Sequence, residues 1–337
     1  MNAERDAHAR TGIEAQAEHF RECFTYLTGE IGKVFVGQPA LIEDLLVCLF
    51  CQGHALIEGA PGLGKTLLVK TLSQAIGLTF SRVQCTPDLM PADVTGTNIL
   101  VERAAGPREF VFQPGPLFAN IVLADEINRA TPRTQSAFLE AMQERRVTVF
   151  GTSHSLDEPF CVFATENPIE MEGTYPLPEA QLDRFFFKLK VRVPGVDDLM
   201  EIMSRTTGEY ESHVTPRFGA DVVRAMLGLV KQAKIADETT RLVLRLVRAT
   251  HPDVEGAPPL VKQYVRYGAS PRAAQTMILA AKARGLLAGR FHASAADIRR
   301  VAAPALAHRL VLNFQAEMDR VTADAVVDEA LASVGEM

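Results

Sequence analysis

Apolar residues recur at spacings of three and four between about residues 12 and 32, at Phe20, Phe24, Leu27 and Ile31, and predict a helix. A second helical stretch runs from about Pro39 to Gln52. The pattern then shortens to apolar segments of strand length: His54–Glu58, Phe80–Cys85, Ile121–Ala124, Phe160–Thr165 and Phe185–Val193. Helical patterns separate most of them, notably Lys65–Ile76 and Pro132–Glu144. Thr131-Pro132, a cap residue followed by proline, opens the latter. Strand and helix in alternation predict an α/β fold with a doubly wound, largely parallel sheet. After about Pro194 the strand signal fades. Helical patterns follow over Asp197–Thr206, Arg217–Gln232, Glu238–Ala249, Pro271–Leu287, Ala295–Leu312 and Ala323–Val334, with a capping box at Ser294–Asp297. The expected division is a helical extension over 1–33, an α/β unit over 34–195 and a smaller helical unit over 196–337. Two hairpins interrupt the α/β unit. One spans Gly96–Phe112 around an Ala-Gly-Pro turn, and the other runs from Arg146–Phe150 through Gly151 towards the strand at Phe160.

Composition narrows the class. A chain of 337 residues can build two cores, and 47% hydrophobic residues is ordinary for a globular protein. No apolar run approaches the roughly 20 residues that span a bilayer. Met1–Asp6 is charged and lacks an apolar core, so no secretory signal is read and a cytoplasmic location is expected. The net charge of −6 lacks the chain-wide basic footprint of a nucleic-acid binder. Five cysteines, an odd count, fit a reducing compartment. Cys48 and Cys51 have C-x-x-C spacing but lie in an apolar helical run without a second pair, and are expected to be core thiols.

The chemistry begins at Gly59-Ala60-Pro61-Gly62-Leu63-Gly64-Lys65-Thr66, which satisfies G-x-x-x-x-G-K-[ST] directly after the apolar run Ala55–Ile57. Glycines let backbone N–H groups turn inward around a phosphate, and the following helix adds its own N-terminal donors. Lys65 is expected on the β- and γ-phosphates and the Thr66 hydroxyl on Mg²⁺. Ile121–Ala124 ends in Asp125-Glu126, two carboxylates at the edge of the sheet where open α/β folds bind ligands. Asp125 is expected to hold Mg²⁺, directly or through water, and Glu126 to polarise the attacking water. Phe163–Thr165 leads to Glu166-Asn167-Pro168 on the same edge. Asn167 is a candidate phosphate or water ligand, although Asn-Pro is also ordinary turn chemistry. Ser270-Pro271 reads as a helix start, which puts Arg272 in a first turn. A cation there opposes the helix dipole and makes sense beside an anion.

In this order the phosphate loop, Leu123–Ala130, Phe163–Pro168, Leu177–Phe185 and Gly268–Ala273 closely resemble the MoxR family of AAA+ ATPases, with likeness from about Val36 onward. The resemblance implies an AAA+ αβα core with a parallel five-stranded sheet, followed by an all-α lid. It implies ATP and Mg²⁺ as ligands, with Val36, Gly37 and Gln38 near the adenine. Pro61, Gly62, Leu63, Gly64, Lys65, Thr66 and Leu67 would surround the phosphates, and Asp125 and Glu126 would form the Walker B pair. Asn167 resembles sensor 1, Arg184 the arginine finger acting on a neighbouring subunit, and Arg272 sensor 2. The hairpins resemble the helix-2 and pre-sensor-1 insertions. The family often has Gln before the sensor asparagine, whereas here the residue is Glu166.

The implied function is ATP-driven remodelling or maturation of partner proteins by a homo-oligomeric, hexameric ring. The resemblance adds a partner with a von Willebrand factor A domain, and clients that receive a metal or cofactor. The ATPase subunit of a metal chelatase is the alternative. A DNA-directed motor fits less well, because the GAFTGA loop and a helix-turn-helix are both absent from the sequence. A nucleotide-gated scaffold fits poorly with Glu126, Asn167, Arg184 and Arg272 all present.

Overall fold

The computed structural model describes residues 2–102, 108–169, 173–208 and 213–335. The chain opens with α1 (Asn2–Gly32) and α2 (Pro39–Phe50), then alternates through β1 (Ala55–Glu58), α3 (Lys65–Ile76), β2 (Phe80–Gln84) and α4 (Pro91–Thr95). A hairpin of β3 (Gly96–Val101) and β4 (Glu109–Pro114) precedes β5 (Ile121–Asp125) and α5 (Pro132–Glu144). A second hairpin, β6 (Arg146–Val149) and β7 (Thr152–Ser155), leads to β8 (Cys161–Glu166), α6 (Glu179–Leu182) and β9 (Phe187–Lys190). Five strands form one parallel sheet in the order β2-β5-β8-β1-β9. Both faces are covered, which is why β5 and β8 are almost wholly apolar. One face packs on α1, α2 and α3, the other on α5.

The remaining elements are α7 (Val196–Thr207), α8 (Ala220–Gln232), β10 (Lys234–Ile235), α9 (Asp237–Ala249), α10 (Pro259–Tyr264), β11 (Val265–Tyr267), α11 (Pro271–Leu287), β12 (His292–Ala293), α12 (Ala295–Leu306), β13 (Val311–Leu312), α13 (Phe314–Met318) and α14 (Ala323–Gly335). The helical lid expected from sequence is present, with two very short ladders, β10–β12 and β11–β13, between its helices. The stretch expected as one helix over Ala295–Leu312 breaks after Leu306. Its last residues turn so that Arg309 enters the core and Val311–Leu312 pair with β11. Ser294 caps α12 as expected, accepting from Asp297 N–H while the Asp297 carboxylate accepts from Ser294 N–H.

The second hairpin closes on its own strand, Thr152–Ser155, rather than on the strand at Phe160. Phe150 and Gly151 make its turn with left-handed φ of 48° and 81°. Residues 105–107, the expected Ala-Gly-Pro turn of the first hairpin, lie outside the described residues. The two hairpins pack together, the Phe112 ring stacked on His154 at 3.8 Å.

Lid and core are tied by ion pairs. Arg300 of α12 reaches Asp44 of α2 at 3.2 Å, and Arg284 of α11 reaches Glu43 at 3.4 Å. Cys48 and Cys51 are fully enclosed in the core, and burial pushes both thiols up.

Candidate functional site

The phosphate loop leaves the carboxyl end of β1 and enters α3. Gly62 and Gly64 both have φ of 80°, which a side chain would strain. Gly64 is the residue from which α3 starts, so the helix N-terminus opens onto the loop. Pro61 and Leu67 are exposed and Leu63 is half-buried, leaving the loop accessible. Lys65 is buried and donates to Gly59 O and, at 3.0 Å, to Ala60 O. Burial lowers its pKa, with the Asp125 and Glu126 charges opposing. The Thr66 hydroxyl donates to Asp125 Oδ2 at 3.0 Å. The predicted Mg²⁺ ligands are therefore side by side, and a hydroxyl beside a carboxylate is a hard oxygen donor set of the kind that cation takes.

Thr165 of β8, at zero exposure, organises both acids. Its hydroxyl donates to Asp125 Oδ1 at 2.6 Å and accepts from Glu126 N–H at 2.8 Å. Glu126 has left-handed φ, ψ of 59°, 54°, an unfavourable conformation for glutamate of the sort that accumulates at functional sites. Arg82 of β2 donates twice to Asp125 Oδ2, at 2.9 and 2.8 Å, and once to Gln84. Gln84 Nε2 in turn donates to Glu126 Oε2 at 3.0 Å. Burial raises the Asp125 pKa, but the bonds from Thr165, Arg82 and Thr66 outweigh it and hold the carboxyl below its ordinary value. Sequence patterning did not single out Thr165, Arg82 or Gln84. Thr165 is a polar residue in an otherwise apolar strand end. Arg82 and Gln84 alternate on an edge strand, and nothing local says that they face the acids.

Asn167, 4% exposed, accepts from Ile169 N–H at 3.1 Å. Its Nδ2 is buried without a partner among the described residues. An orphaned donor beside a phosphate loop fits an anionic ligand, because leaving it unmade costs free energy. Glu166 is wired to a cation: Lys188 Nζ lies 3.5 Å from Glu166 Oε2 and 2.6 Å from Glu58 Oε2.

Arg184 is apart from this group. It donates to Gln143 of α5 and lines a shallow cleft with Ser136, Glu140 and Gln181. Arg272, whose backbone N–H the Ser270 hydroxyl caps at 3.2 Å, pairs with Asp183 at 3.5 Å. Among the described residues, neither arginine makes a hydrogen bond or ion pair with the loop. Asp183 also accepts from Ser270 Oγ at 2.8 Å and from Arg309 Nε at 3.1 Å. Arg309 is 7% exposed and also donates to the carbonyls of Ala305, Phe185 and Phe186. Burial lowers its pKa to about 10 against the pull of Asp183. Asp183 thus joins the core to three lid side chains.

Of the three residues expected near the adenine, Val36 is buried, and Gly37 and Gln38 have left-handed φ of 75° and 51°. The Gln38 amide is spent on backbone: it accepts from Arg192 N–H at 2.8 Å and donates to Arg192 O at 3.0 Å. Beside it a cleft of about 770 Å³ opens between core and lid, lined by Leu41, Glu58, Lys188, Ala303 and Pro304 among others. That is the size of a small-ligand pocket. A larger cleft of about 1030 Å³ lies between α1 and the lid and is lined by none of the candidate site residues.

Residues 54–187 match the model of the ATPase family associated with various cellular activities (AAA), and residues 259–330 match the AAA lid domain. The chain is 42% identical to chaperone MoxR1 of Mycobacterium tuberculosis over 90% of its own length and 80% of that protein. It is 30% identical to protein MoxR of Methylorubrum extorquens, over 91% of this chain and 93% of that one. A crystal structure from Cytophaga hutchinsonii superposes with a TM-score of 0.89 at 37% identity, over 96% of this chain and 98% of the other.

Proposed function

Because the chain belongs to the MoxR family of AAA+ ATPases, we propose that it hydrolyses ATP with the residues gathered at the carboxyl edge of its sheet and uses the cycle to remodel partner proteins. The observation that carries this reading is the joined set Thr66, Asp125, Thr165 and Glu126, beside the orphaned amide of Asn167. The loop N–H groups and Lys65 bind the phosphates, and Lys65 exchanges its carbonyl partners for them. Thr66 and Asp125 would hold Mg²⁺, which neutralises phosphate charge when bound. Glu126 orients and polarises the attacking water, and Asn167 donates to the γ-phosphate or to that water. Val36, Gly37 and Gln38 would lie near the adenine, and Gln38 lines the core–lid cleft while clasping Arg192 rather than contacting the base.

Arg184 and Arg272 complete the site from outside the loop. Arg184, engaged with α5, is the cation offered to a neighbour's ATP, and Arg272 reaches phosphate when it leaves Asp183. That division of labour supports a homo-oligomeric ring, six subunits by family likeness. The working units are an extension over 1–33, the core over 34–195 and the lid over 196–337. A von Willebrand factor A domain partner, clients awaiting a metal or cofactor, and a cytoplasmic setting complete the reading. The metal-chelatase motor is the alternative. No helix among the described residues is long and apolar enough to cross a membrane.

The test is ATP turnover with and without ring assembly. Lys65→Ala should lose nucleotide binding, and Glu126→Gln should bind ATP without hydrolysing it. Arg184→Ala should lose turnover and recover part of it when mixed with Lys65→Ala subunits. Wild-type turnover by Glu126→Gln would sink the assignment. Proteins retained by Glu126→Gln in ATP would identify the client, and a requirement for integrator and catalytic chains would favour the chelatase.

A further inference from the structure

The two strands that flank the nucleotide site end in acids. Glu58 closes β1 immediately before the phosphate loop, and Glu166 closes β8 immediately before Asn167. In the parallel register these two residues are paired across the strands. Like charges in that position repel and would splay the strand ends. Lys188, from β9 on the other side of β1, is in register with Leu56, one pleat back. Its side chain runs forward along the sheet and puts Nζ between the two carboxylates, at 2.6 Å from Glu58 and 3.5 Å from Glu166. The backbone makes the same junction, since Gly59 N–H donates to Glu166 O at 3.2 Å and Val191 N–H to Glu58 O at 2.8 Å.

Stability does not explain this arrangement. A mostly buried ion cluster pays for its own desolvation, and well-packed apolar residues would serve a sheet edge equally well. All three side chains are about one-fifth to one-quarter exposed, so the cluster is not a solvated surface pair. Burial alone would lower the Lys188 pKa, but Glu166 and Glu58 raise it above the ordinary value, so the ammonium stays charged. What the cluster does is fix the end of the phosphate-loop strand against the end of the sensor strand. It also explains how this chain tolerates Glu before the asparagine.

We infer that Lys188 is a positioning residue for ATP hydrolysis: by clamping Glu58 and Glu166 it sets Asn167 against the phosphate loop. The inference rests on the ATPase reading above. Lys188 touches neither phosphate nor water in this role. Its removal acts on the relative placement of loop and sensor, and therefore on turnover more than on nucleotide grip, which Lys65 and the N-terminus of α3 supply.

The experiment measures kcat, KM for ATP, nucleotide affinity and thermal midpoint for wild type, Lys188→Met, Lys188→Arg, Glu166→Gln and the double variant Lys188→Met with Glu166→Gln. Lys188→Met should lose about tenfold or more in kcat, since small misplacements of catalytic groups have effects of that order, while KM and nucleotide affinity stay within about twofold. Glu166→Gln should stay close to wild type, because its amide oxygen still accepts from Lys188. Lys188→Arg should retain most of the turnover. The double variant removes the repulsion and should recover much of the lost kcat.

Wild-type kcat in Lys188→Met would overturn the inference. So would a rise in KM with kcat unchanged, or a double variant that regains stability without turnover. Glu126→Gln, run in parallel, separates the two levels. If wild type itself shows no turnover, the ATPase reading fails; if Glu126→Gln still turns over ATP at the wild-type rate, the role given to Glu126 fails. If Glu126→Gln is inactive while Lys188→Met is unimpaired, only the role of Lys188 fails.

Discussion

Replacing Thr165 by valine removes one hydroxyl and almost no volume, so its effect reads the hydrogen bonds directly. The hydroxyl is fully buried and makes two bonds, 2.6 Å to Asp125 and 2.8 Å from Glu126 N–H. In the variant the Glu126 N–H loses its acceptor, and a buried unsatisfied donor costs about 1–3 kcal/mol. Asp125 keeps Arg82 and Thr66, so its loss is smaller, about 1 kcal/mol. Against this, Glu126 is released from a left-handed conformation that costs about 1–2 kcal/mol. The net destabilisation is therefore about 0–3 kcal/mol, read as a shift of the urea midpoint at constant slope. Turnover should suffer more than stability, because a relaxed Glu126 no longer presents its carboxylate in the same place. A fall in kcat of about 100-fold with nucleotide affinity nearly unchanged is expected. Thr165→Ser should restore both bonds and most of the activity. Undiminished kcat in Thr165→Val, in a protein that binds ATP normally, would refute the claim that this hydroxyl sets Asp125 and Glu126.

Other outcomes follow from the same geometry. His54 is buried, with Nδ1 accepting from Val162 N–H at 2.9 Å and Nε2 donating to Met142 O at 3.1 Å, and burial lowers its pKa to about 4. A depressed histidine contributes stability that is complete above about pH 6.5 and is lost as the pH falls towards 4, about 3 kcal/mol in all. Urea melts between those pH values should show the loss, and His54→Gln should flatten it relative to wild type. Asp183→Ala leaves the buried Arg309 without its carboxylate and should cost about 3 kcal/mol, the low end for a broken buried pair, because the carbonyls of Phe185, Phe186 and Ala305 remain. Asp183→Asn should cost less, and denaturant melts of both variants check the order. Arg82→Ala frees one oxygen of Asp125 from its guanidinium and should tighten Mn²⁺ binding measured without nucleotide; an unchanged affinity would mean that Arg82 does not compete with the cation.

Much of the architecture was legible because local rules and global fold agree. Lys65–Ile76 and Pro132–Glu144 carry helical periodicity with recognisable starts, and each occurs where expected. The helix expected over Ala295–Leu312 fails at its end for a tertiary reason. Arg309 is drawn to Asp183 and to the carbonyls of Phe185 and Phe186, contacts that no periodicity in the segment encodes. The all-helical pattern of the lid likewise hides two ladders, each too short to leave an alternating signal. The expected return strand of the second hairpin was misplaced because Thr152–Ser155 is polar and reads as loop.

By itself the sequence determined the phosphate-loop motif, the adjacent acids Asp125 and Glu126, and the alternation of strands and helices through the core, because each depends on residues adjacent along the chain. Only the tertiary structure decided how those parts are held. Thr165, Arg82, Gln84, Asp183 and Lys188 act across strands that are tens of residues apart, through bonds that depend on register and side-chain direction. It also decided that the Gln38 amide bonds to Arg192, and that Arg184 pairs with Gln143 and Arg272 with Asp183. A motif specifies which groups a reaction uses; packing and register specify what keeps each of them in place, and that information is spread over the whole sheet.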